Sequence, residues 1–437
     1  MTIDRQKAKN LFQRLTKNIS MEQIAERMAP KNGPVTPRLR YSDPLTPDNI
    51  GSNWEILKSH ASVTERDQQL MADPQTLADI ALYTHNIENC IGTVKVPVGV
   101  AGPLRVNGVF AQKDYYMPMA TTEAALVASY NRGARIITES GGCTAFVLNE
   151  GMTRSPGFIF KNLIEASQFA LWLNENFDHF CTVGNATSRF GKLIDMRVTV
   201  EGNHVYVNLD YHTGDAAGQN MATIATAAVI EYIAQNMPVK PKRMIIEANL
   251  SGDKKASNIS FMGVRGKKVT VETVLKRDLV IKELHTTPEI MVECWHLGLY
   301  GCVMGGSIGV HIHIANGLAA FYLATGQDVA CVSESSVGIT RFEVTEDKDL
   351  YVSLTMPNVI VGSVGGGTKL PSQSAALRIL GLEGAGHSYA LAEVCAALCL
   401  AGEISITAAI SAGQFANAHE HLARGKKIET TAVKVES

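Results

Sequence analysis

Apolar residues recur at helical spacing near the start of the chain, where Phe12, Leu15, Ile19, Ile24 and Met28 share one face and predict a helix over residues 4–28. Pro30, Pro34, Pro37, Pro44 and Pro47 then break the period, which predicts an extended connector. A second helix is expected over residues 67–85. Beyond it, β-branched runs alternate with long Ala-rich helices, the texture of an α+β or α/β core. Residues 158–246 differ. They read as helix 163–176, strand 193–200, strand 204–211, helix 219–235 and strand 243–247, the order of a small split βαβ unit inserted into a larger domain. The most apolar long stretch, residues 389–418, is interrupted by Glu393 and Glu403, so no segment is expected to span a membrane.

Composition narrows the possibilities. With 437 residues, 46% hydrophobic and 19% charged, the chain can bury a large core and divides into two or three domains. A net charge of -2 leaves no electrostatic footprint for nucleic acid or an anionic membrane, so an anionic ligand must be met by locally placed cations. The eight cysteines show no CxxC pair and lie mostly in apolar runs, which suits free thiols in a reducing compartment. The N-terminus opens with charged and amide residues rather than an apolar signal core, and a cytoplasmic protein is expected.

Several segments hold candidate chemistry. Glu123 opens the apolar run that follows Met117-Pro118-Met119-Ala120-Thr121-Thr122. A carboxylate there is costly to bury ionised, so its pKa is expected to rise and make it a general acid. The segment from Asn249 to Lys255 presents Lys254 and Lys255 side by side, although adjacent lysines are most often plain solvated surface. Asp328 ends Gly326-Gln327-Asp328 after a helix expected over 315–324, and a helix-end turn would look the same. Val361-Gly362-Ser363-Val364-Gly365-Gly366-Gly367-Thr368 lets backbone amides approach a ligand or serves a tight packing turn; it is neither a Walker loop nor a GxGxxG fingerprint. His419-Glu420-His421 suits catalysis, metal binding or an exposed helix end. His311 and His313 would share one face of a strand and with that pair could ligate zinc, yet no cysteine or carboxylate cluster accompanies them and no metal is expected.

In order along the chain, Glu88-Asn89-Cys90-Ile91-Gly92, Pro97-Val98-Gly99-Val100-Ala101-Gly102-Pro103-Leu104, the Thr-Thr-Glu segment, Gly151-Met152-Thr153-Arg154, Asp253-Lys254-Lys255, Gly326-Gln327-Asp328 and the glycine-rich loop resemble the 3-hydroxy-3-methylglutaryl-CoA reductase family. The resemblance runs from about residue 87 to 424. It implies two hydride transfers from NADPH, with NADH the other option, taking the thioester to mevalonate and free coenzyme A. It also implies that Lys254 meets the developing oxyanion, Asp328 holds Lys254, Glu123 donates a proton to the aldehyde oxygen and His419, rather than His421, protonates the departing thiolate. Arg154 and Lys255 match residues that hold the distal carboxylate of the substrate; Asp253, Asn249 and Asn316 match further substrate-site positions. Ser188 and Arg189 match contacts to a 2′-phosphate, and Asp215, Gly218 and Asn220 lie in a segment matching the coenzyme loop. The implied fold is a helical N-terminal region (1–86), a large α/β domain (87–154 and 248–424), an inserted ferredoxin-like coenzyme domain (155–247) and a tail (425–437). The implied assembly is a homodimer or higher homo-oligomer with its active site between subunits.

The sequence departs from that pattern at two places. Trp295-His296-Leu297-Gly298-Leu299-Tyr300 stands where the family has a lysine for the substrate carboxylate, and Glu247 stands where a small polar residue is usual. They bear on substrate affinity and acyl preference and leave the hydride chemistry intact, so one alternative is a reductase of another acyl-CoA; a separate one is a homologue that binds coenzyme A thioesters without turnover.

Overall fold

The structure is a computed structural model that describes residues 7, 9, 10, 13, 14, 16, 17, 19–31 and 33–414. It divides into two units. One comprises the described chain up to Ala81 together with Ile87–Thr93, the other Leu82–Asn86 and the described chain from Val94 on.

In the first unit, helix Met21–Met28 starts at a capping box formed by Ser20 and Gln23, and none of its residues is buried. Phe12 and Leu15 lie outside the described residues. The expected connector contains helix Pro47–His60, whose start is written in Thr46 as N-cap and Pro47 in the first turn. This helix buries Ile50 and Trp54, and full burial of a side chain such as Ile50 contributes roughly 1.5 to 3 kcal/mol. Trp54 Nε1 donates to the Ile91 carbonyl at 2.7 Å, and Asn53 Nδ2 donates to the Cys90 carbonyl at 3.2 Å. The Glu88-to-Gly92 motif therefore packs on this helix. Gly92 is required there: at φ 133°, a Cβ would come within 2.3 Å of the Met71 carbonyl oxygen. The single helix expected over 67–85 is three pieces, Glu65–Met71, Pro74–Ala78 and a 3₁₀ turn Ile80–Tyr83, because Asp73 caps a new helix and Pro74 cannot continue the old one.

The second unit is built on ten strands: β1 Val98–Gly108, β2 Gln112–Ala120, β3 Cys143–Arg154, β4 Gly157–Ile159, β5 Lys192–Glu201, β6 His204–His212, β7 Arg243–Ile245, β8 Gly266–Leu275, β9 Ile339–Val344 and β10 Leu350–Val359. The main order is β7-β4-β6-β3-β8-β10-β9, with β1 against β2 and β3, and β5 against β6. Pairing is antiparallel except for a short β1–β3 contact. This is an α+β architecture. The long strand β3 joins two regions, pairing β8 through Thr144–Gly151 and β6 through Met152–Arg154.

Strands β4, β5, β6 and β7 are ordered β7-β4-β6-β5 and all antiparallel, with helices Leu163–Glu175, Phe177–Asn185 and Gln219–Asn236 between them, a ferredoxin-like arrangement. Four of its elements match the expected spans closely and the strand expected over 243–247 ends at Ile245, whereas β4 and helix Phe177–Asn185 were not anticipated. On the other side, β8 alternates buried and outward positions from Lys267 to Leu275, the period-2 pattern of a one-faced strand. Helix Ser388–Ser411 packs under β8, β10 and β3. It is long and apolar enough to cross a membrane, but most of it is buried inside the fold. Glu393 and Glu403 are buried with it, each accepting backbone N–H groups.

Candidate active site

Lys254 and Asp328 meet directly, Nζ to Oδ2 at 3.1 Å, with both side chains partly open to solvent. Asp328 is set by its neighbours. Gln327 grips Gly362 twice, accepting from its N–H at 2.8 Å and donating to its carbonyl at 3.1 Å, and Asp328 Oδ1 accepts the Ala330 N–H at 3.0 Å. Lys254 occupies the left-handed region at φ 55°, a conformation costing a non-glycine residue about 1 to 2 kcal/mol. Its backbone N–H is held at 3.1 Å by Glu334. The hydrogen bond it donates to Asp328 pushes the Lys254 ammonium above its usual range, so it stays charged through neutral pH.

Behind Lys254 lies a chain of alternating charges. Arg154 Nη1 meets Asp253 Oδ2 at 2.7 Å, Asp253 Oδ1 meets Arg265 Nη2 at 2.7 Å, and Arg265 Nε meets Glu334 Oε2 at 2.7 Å. Burial would raise the Asp253 carboxyl, but Arg265, Arg154 and Lys254 outweigh it and leave the pKa below its usual value. For Glu334 burial prevails over Arg265, and its pKa is raised. Arg265 and Glu334 were not singled out from the sequence. No local signal could have found them, because the two are 69 positions apart.

Arg154 is more committed than expected. It is buried, donates from Nε to Thr223 at 2.8 Å, and its Nη1 also lies 3.5 Å from Glu247. Glu247 in turn accepts the Asn249 N–H at 2.8 Å and the Ser251 hydroxyl at 3.1 Å, so the departure at this position braces the loop before Lys254. Lys255 is exposed, and its Nζ donates to Asn249 Oδ1 at 3.1 Å and to the Asp253 carbonyl at 2.9 Å.

Glu123 overturns one expectation. It is exposed, not hidden among apolar neighbours: residues 121–125 form a turn, the helix starts only at Leu126, and the apolar residues after it face inward from that helix. Both its carboxylate oxygens accept from Asn316 Nδ2, at 3.2 and 3.1 Å. Asn316 is in the first turn of helix Ile314–Thr325, and Asp328 follows that helix at the other end.

A cavity of about 540 Å³ opens beside Asp328. Gly218, Asn220 and Met221 line it together with Gly362 and Val364 to Thr368. Gly218 N-caps helix Gln219–Asn236 without any side-chain cap, leaving N–H groups for a ligand anion. The glycine-rich loop serves both of its readings. At Gly362 a Cβ would meet the Ala217 nitrogen at 2.5 Å, so that glycine is for packing, whereas Gly365 and Gly366 have positive φ and open space. Asp215 Oδ2 accepts the Gly386 N–H at 2.8 Å and Oδ1 the Ser388 N–H at 3.3 Å, so it anchors the loop. Ser188 Oγ accepts from Phe190 and Gly191, both at 3.1 Å, and Gly191 packs close to Met221 at the cavity edge. Arg189 is exposed and makes no ion pair with a described residue.

His419, Glu420 and His421 lie outside the described residues. His311 and His313 are not on a strand; His313 bonds Glu403, and among the described residues no group of three His, Cys, Asp or Glu side chains is placed to hold a metal. The eight cysteines are free thiols.

The fold is shared with the class II 3-hydroxy-3-methylglutaryl-CoA reductase from Streptococcus pneumoniae bound to NADPH in open conformations, at a TM-score of 0.61 and 18% identity over 82% of this chain and 96% of that one. The family model of hydroxymethylglutaryl-coenzyme A reductase matches residues 51–424. The 3-hydroxy-3-methylglutaryl-coenzyme A reductase of Aeropyrum pernix is 45% identical, covering 79% of this chain and 83% of that protein. That of Pyrococcus abyssi is 43% identical, covering 78% and 86%. This chain belongs to the hydroxymethylglutaryl-coenzyme A reductase family.

Proposed function

We propose that the protein reduces 3-hydroxy-3-methylglutaryl-CoA to mevalonate and free coenzyme A with two NADPH, as a cytoplasmic enzyme of mevalonate formation. The observation that supports this most strongly is the Lys254–Asp328 pair opening onto the cavity edged by Gly218, Asn220 and the glycine-rich loop. The cavity fits a dinucleotide: an uncapped helix N-terminus suits a phosphate, and Gly365 and Gly366 let the backbone come close. Bound there, NADPH supplies the hydride. Arg189 and Ser188, in the loop that brings Gly191 to Met221, would take its 2′-phosphate, and we assign residues 155–247 as the coenzyme domain.

The chain's own residues handle charge and protons. Lys254, held charged by Asp328, meets the oxyanion that develops at the thioester carbonyl and again at the aldehyde. Glu123, oriented by Asn316, donates the proton to the aldehyde oxygen. His419 protonates the departing thiolate, a task for a group that titrates near neutrality. Lys255 and Asn249 face the distal carboxylate, with Arg154 and Asp253 bracing them.

Geometry supports a site between two copies. Asn316 lies nine residues before Thr325, about 14 Å along the helix axis at 1.5 Å per residue, and Asp328 lies beyond. Glu123 is thus at one end of this helix and Lys254 at the other, and Glu123 from a second copy completes the constellation. Helix Pro288–Gly305 is apolar but buries only Pro288 and Met291, leaving Leu297, Tyr300, Val303 and Met304 for that copy to cover.

Coenzyme oxidation with 3-hydroxy-3-methylglutaryl-CoA, measured with NADPH and with NADH, tests the activity; binding without turnover would leave only a thioester-binding homologue. Mixing inactive Glu123→Gln and Lys254→Ala variants should restore up to about a quarter of wild-type activity, since half the dimers are mixed and each has one intact site. No restoration would place both residues in one subunit's site.

A further inference from the structure

Glu403 is 1% exposed, and no step of the proposed chemistry uses it. Its carboxylate reaches out of helix Ser388–Ser411 to the start of another helix. Oε2 accepts the Ile312 N–H at 2.7 Å; Oε1 accepts the His313 N–H at 2.8 Å and lies 3.2 Å from His313 Nδ1. His313 is the N-cap of helix Ile314–Thr325 but gives it no side-chain cap. Glu403 instead holds the two N–H groups just before the helix, and its negative charge suits the positive end of the helix dipole. Burial pushes this carboxyl up, yet the bonds from His313 and Ile312 outweigh it and keep it ionised.

What this helix presents is Asn316, whose backbone N–H donates to the His313 carbonyl at 2.9 Å and whose side chain holds both oxygens of Glu123. A third helix closes the junction. Tyr130, in the helix that Glu123 precedes, stacks on His313 at 5.4 Å and donates its hydroxyl to the His313 carbonyl at 3.4 Å. It is wedged between Gly317 and Gly402, where a Cβ would come within 2.5 and 2.4 Å of its ring. The helix that Glu123 precedes and the helices bearing Asn316 and Glu403 thus meet at His313.

We propose that Glu403 is a positioning residue for the proton donor, setting Asn316 and, through it, Glu123. The proposal rests on the reductase reading above. Its bland rival is a purely structural tie, and the same helix supplies one: Glu393 accepts the N–H groups of Val109, Phe110 and Ala111 at 3.2, 3.0 and 2.7 Å, binding the β1–β2 turn away from the site residues.

Glu393 is therefore the control. Glu403→Gln and Glu393→Gln each put an amide NH₂ against a backbone N–H and should lower stability comparably, read as urea midpoints of the full-length protein. With mevaldehyde and NADPH, Glu403→Gln should lower kcat roughly tenfold with the NADPH KM little changed, as expected of a proton donor displaced by a fraction of an ångström. Glu393→Gln should keep near-normal kcat. In an Asn316→Ala background the Glu403→Gln factor should shrink towards one, because both act on the same carboxylate. An undiminished tenfold loss in that background, or equal kcat losses in the two Gln variants, would overturn the proposal. Should Glu403→Gln fail to fold, His313→Phe keeps the stack on Tyr130 and both backbone bonds while removing Nδ1; a kcat loss of roughly threefold or more is expected there, and wild-type kcat would count against the proposal. Wild-type turnover, measured first, tests the reductase reading on its own, whereas the ratios between variants test Glu403.

Discussion

Replacing Lys254 by Ala separates what that residue does for the reaction from what it does for the fold. The Lys254–Asp328 pair is 3.1 Å long, with side chains 45% and 40% exposed. Such a pair contributes about 0 to 1 kcal/mol to folding. The backbone penalty of φ 55° is common to Lys and Ala, and the N–H bond to Glu334 survives the change. Lys254→Ala should therefore cost no more than about 1 kcal/mol of stability. Turnover is another matter. Removing one preorganised group facing a developing oxyanion costs roughly 2.7 to 4 kcal/mol of transition-state stabilisation, a hundredfold to a thousandfold in kcat. Glu334→Gln makes the contrast: Arg265, whose side chain is 4% exposed, keeps Asp253 but loses its fully buried charge partner, which costs up to about 3 to 5 kcal/mol. Lys254→Gly should even gain about 1 kcal/mol by relieving the left-handed backbone, while being as inactive as the alanine variant. Urea midpoints and NADPH oxidation rates on the three proteins provide both axes. A folded Lys254→Ala enzyme with near-normal turnover would refute the assignment, and a loss of stability above about 2 kcal/mol would refute the reasoning about the pair.

Arg189→Ala should erode a preference for NADPH while leaving NADH kinetics nearly unchanged, since only a phosphate contact is lost; a wild-type enzyme already favouring NADH would contradict this. Leu297→Lys places the family's cation on the helix face assigned to the second copy, so in a variant that stays dimeric it should lower the KM for 3-hydroxy-3-methylglutaryl-CoA without raising kcat; an unchanged KM in that dimer would mean another group already serves the carboxylate. Asp253 has a folded pKa below its unfolded value of about 3.9, so its stabilisation is present above that pH and is lost as pH falls through the folded pKa. The stability gap between wild type and Asp253→Asn should thus be constant above about pH 4 and close in stronger acid, as urea titrations across pH would show.

Much of the architecture was legible because it is written in local spacing. Alternation along β8 and in the hairpin β5–β6 marks one-faced strands, and the spans of helices Leu163–Glu175, Gln219–Asn236 and Ile314–Thr325 follow from their apolar runs. Where the reading failed, local chemistry had been passed over: Thr46-Pro47 starts a helix inside the expected connector, and Asp73-Pro74 ends one and starts another. The family resemblance pointed to Lys254, Asp328, Glu123 and Asn316, which the fold joins as two pairs.

What period and motif could not supply was the company each charge keeps. Arg265 bonds Glu334 across 69 positions, Arg154 bonds Asp253 across 99, and Glu403 bonds His313 across 90. Glu123 misled for the same reason: an apolar run next to a carboxylate in sequence says only that the run will be buried, whereas a turn before the helix puts the carboxylate on the surface. The sequence by itself determined the elements, their faces and the chemical types available, because hydrophobic period and capping act over a few residues. Only the tertiary structure decided which ionisable groups are paired, buried or opposed, since Coulomb and desolvation energies depend on distances in space that the sheet order sets.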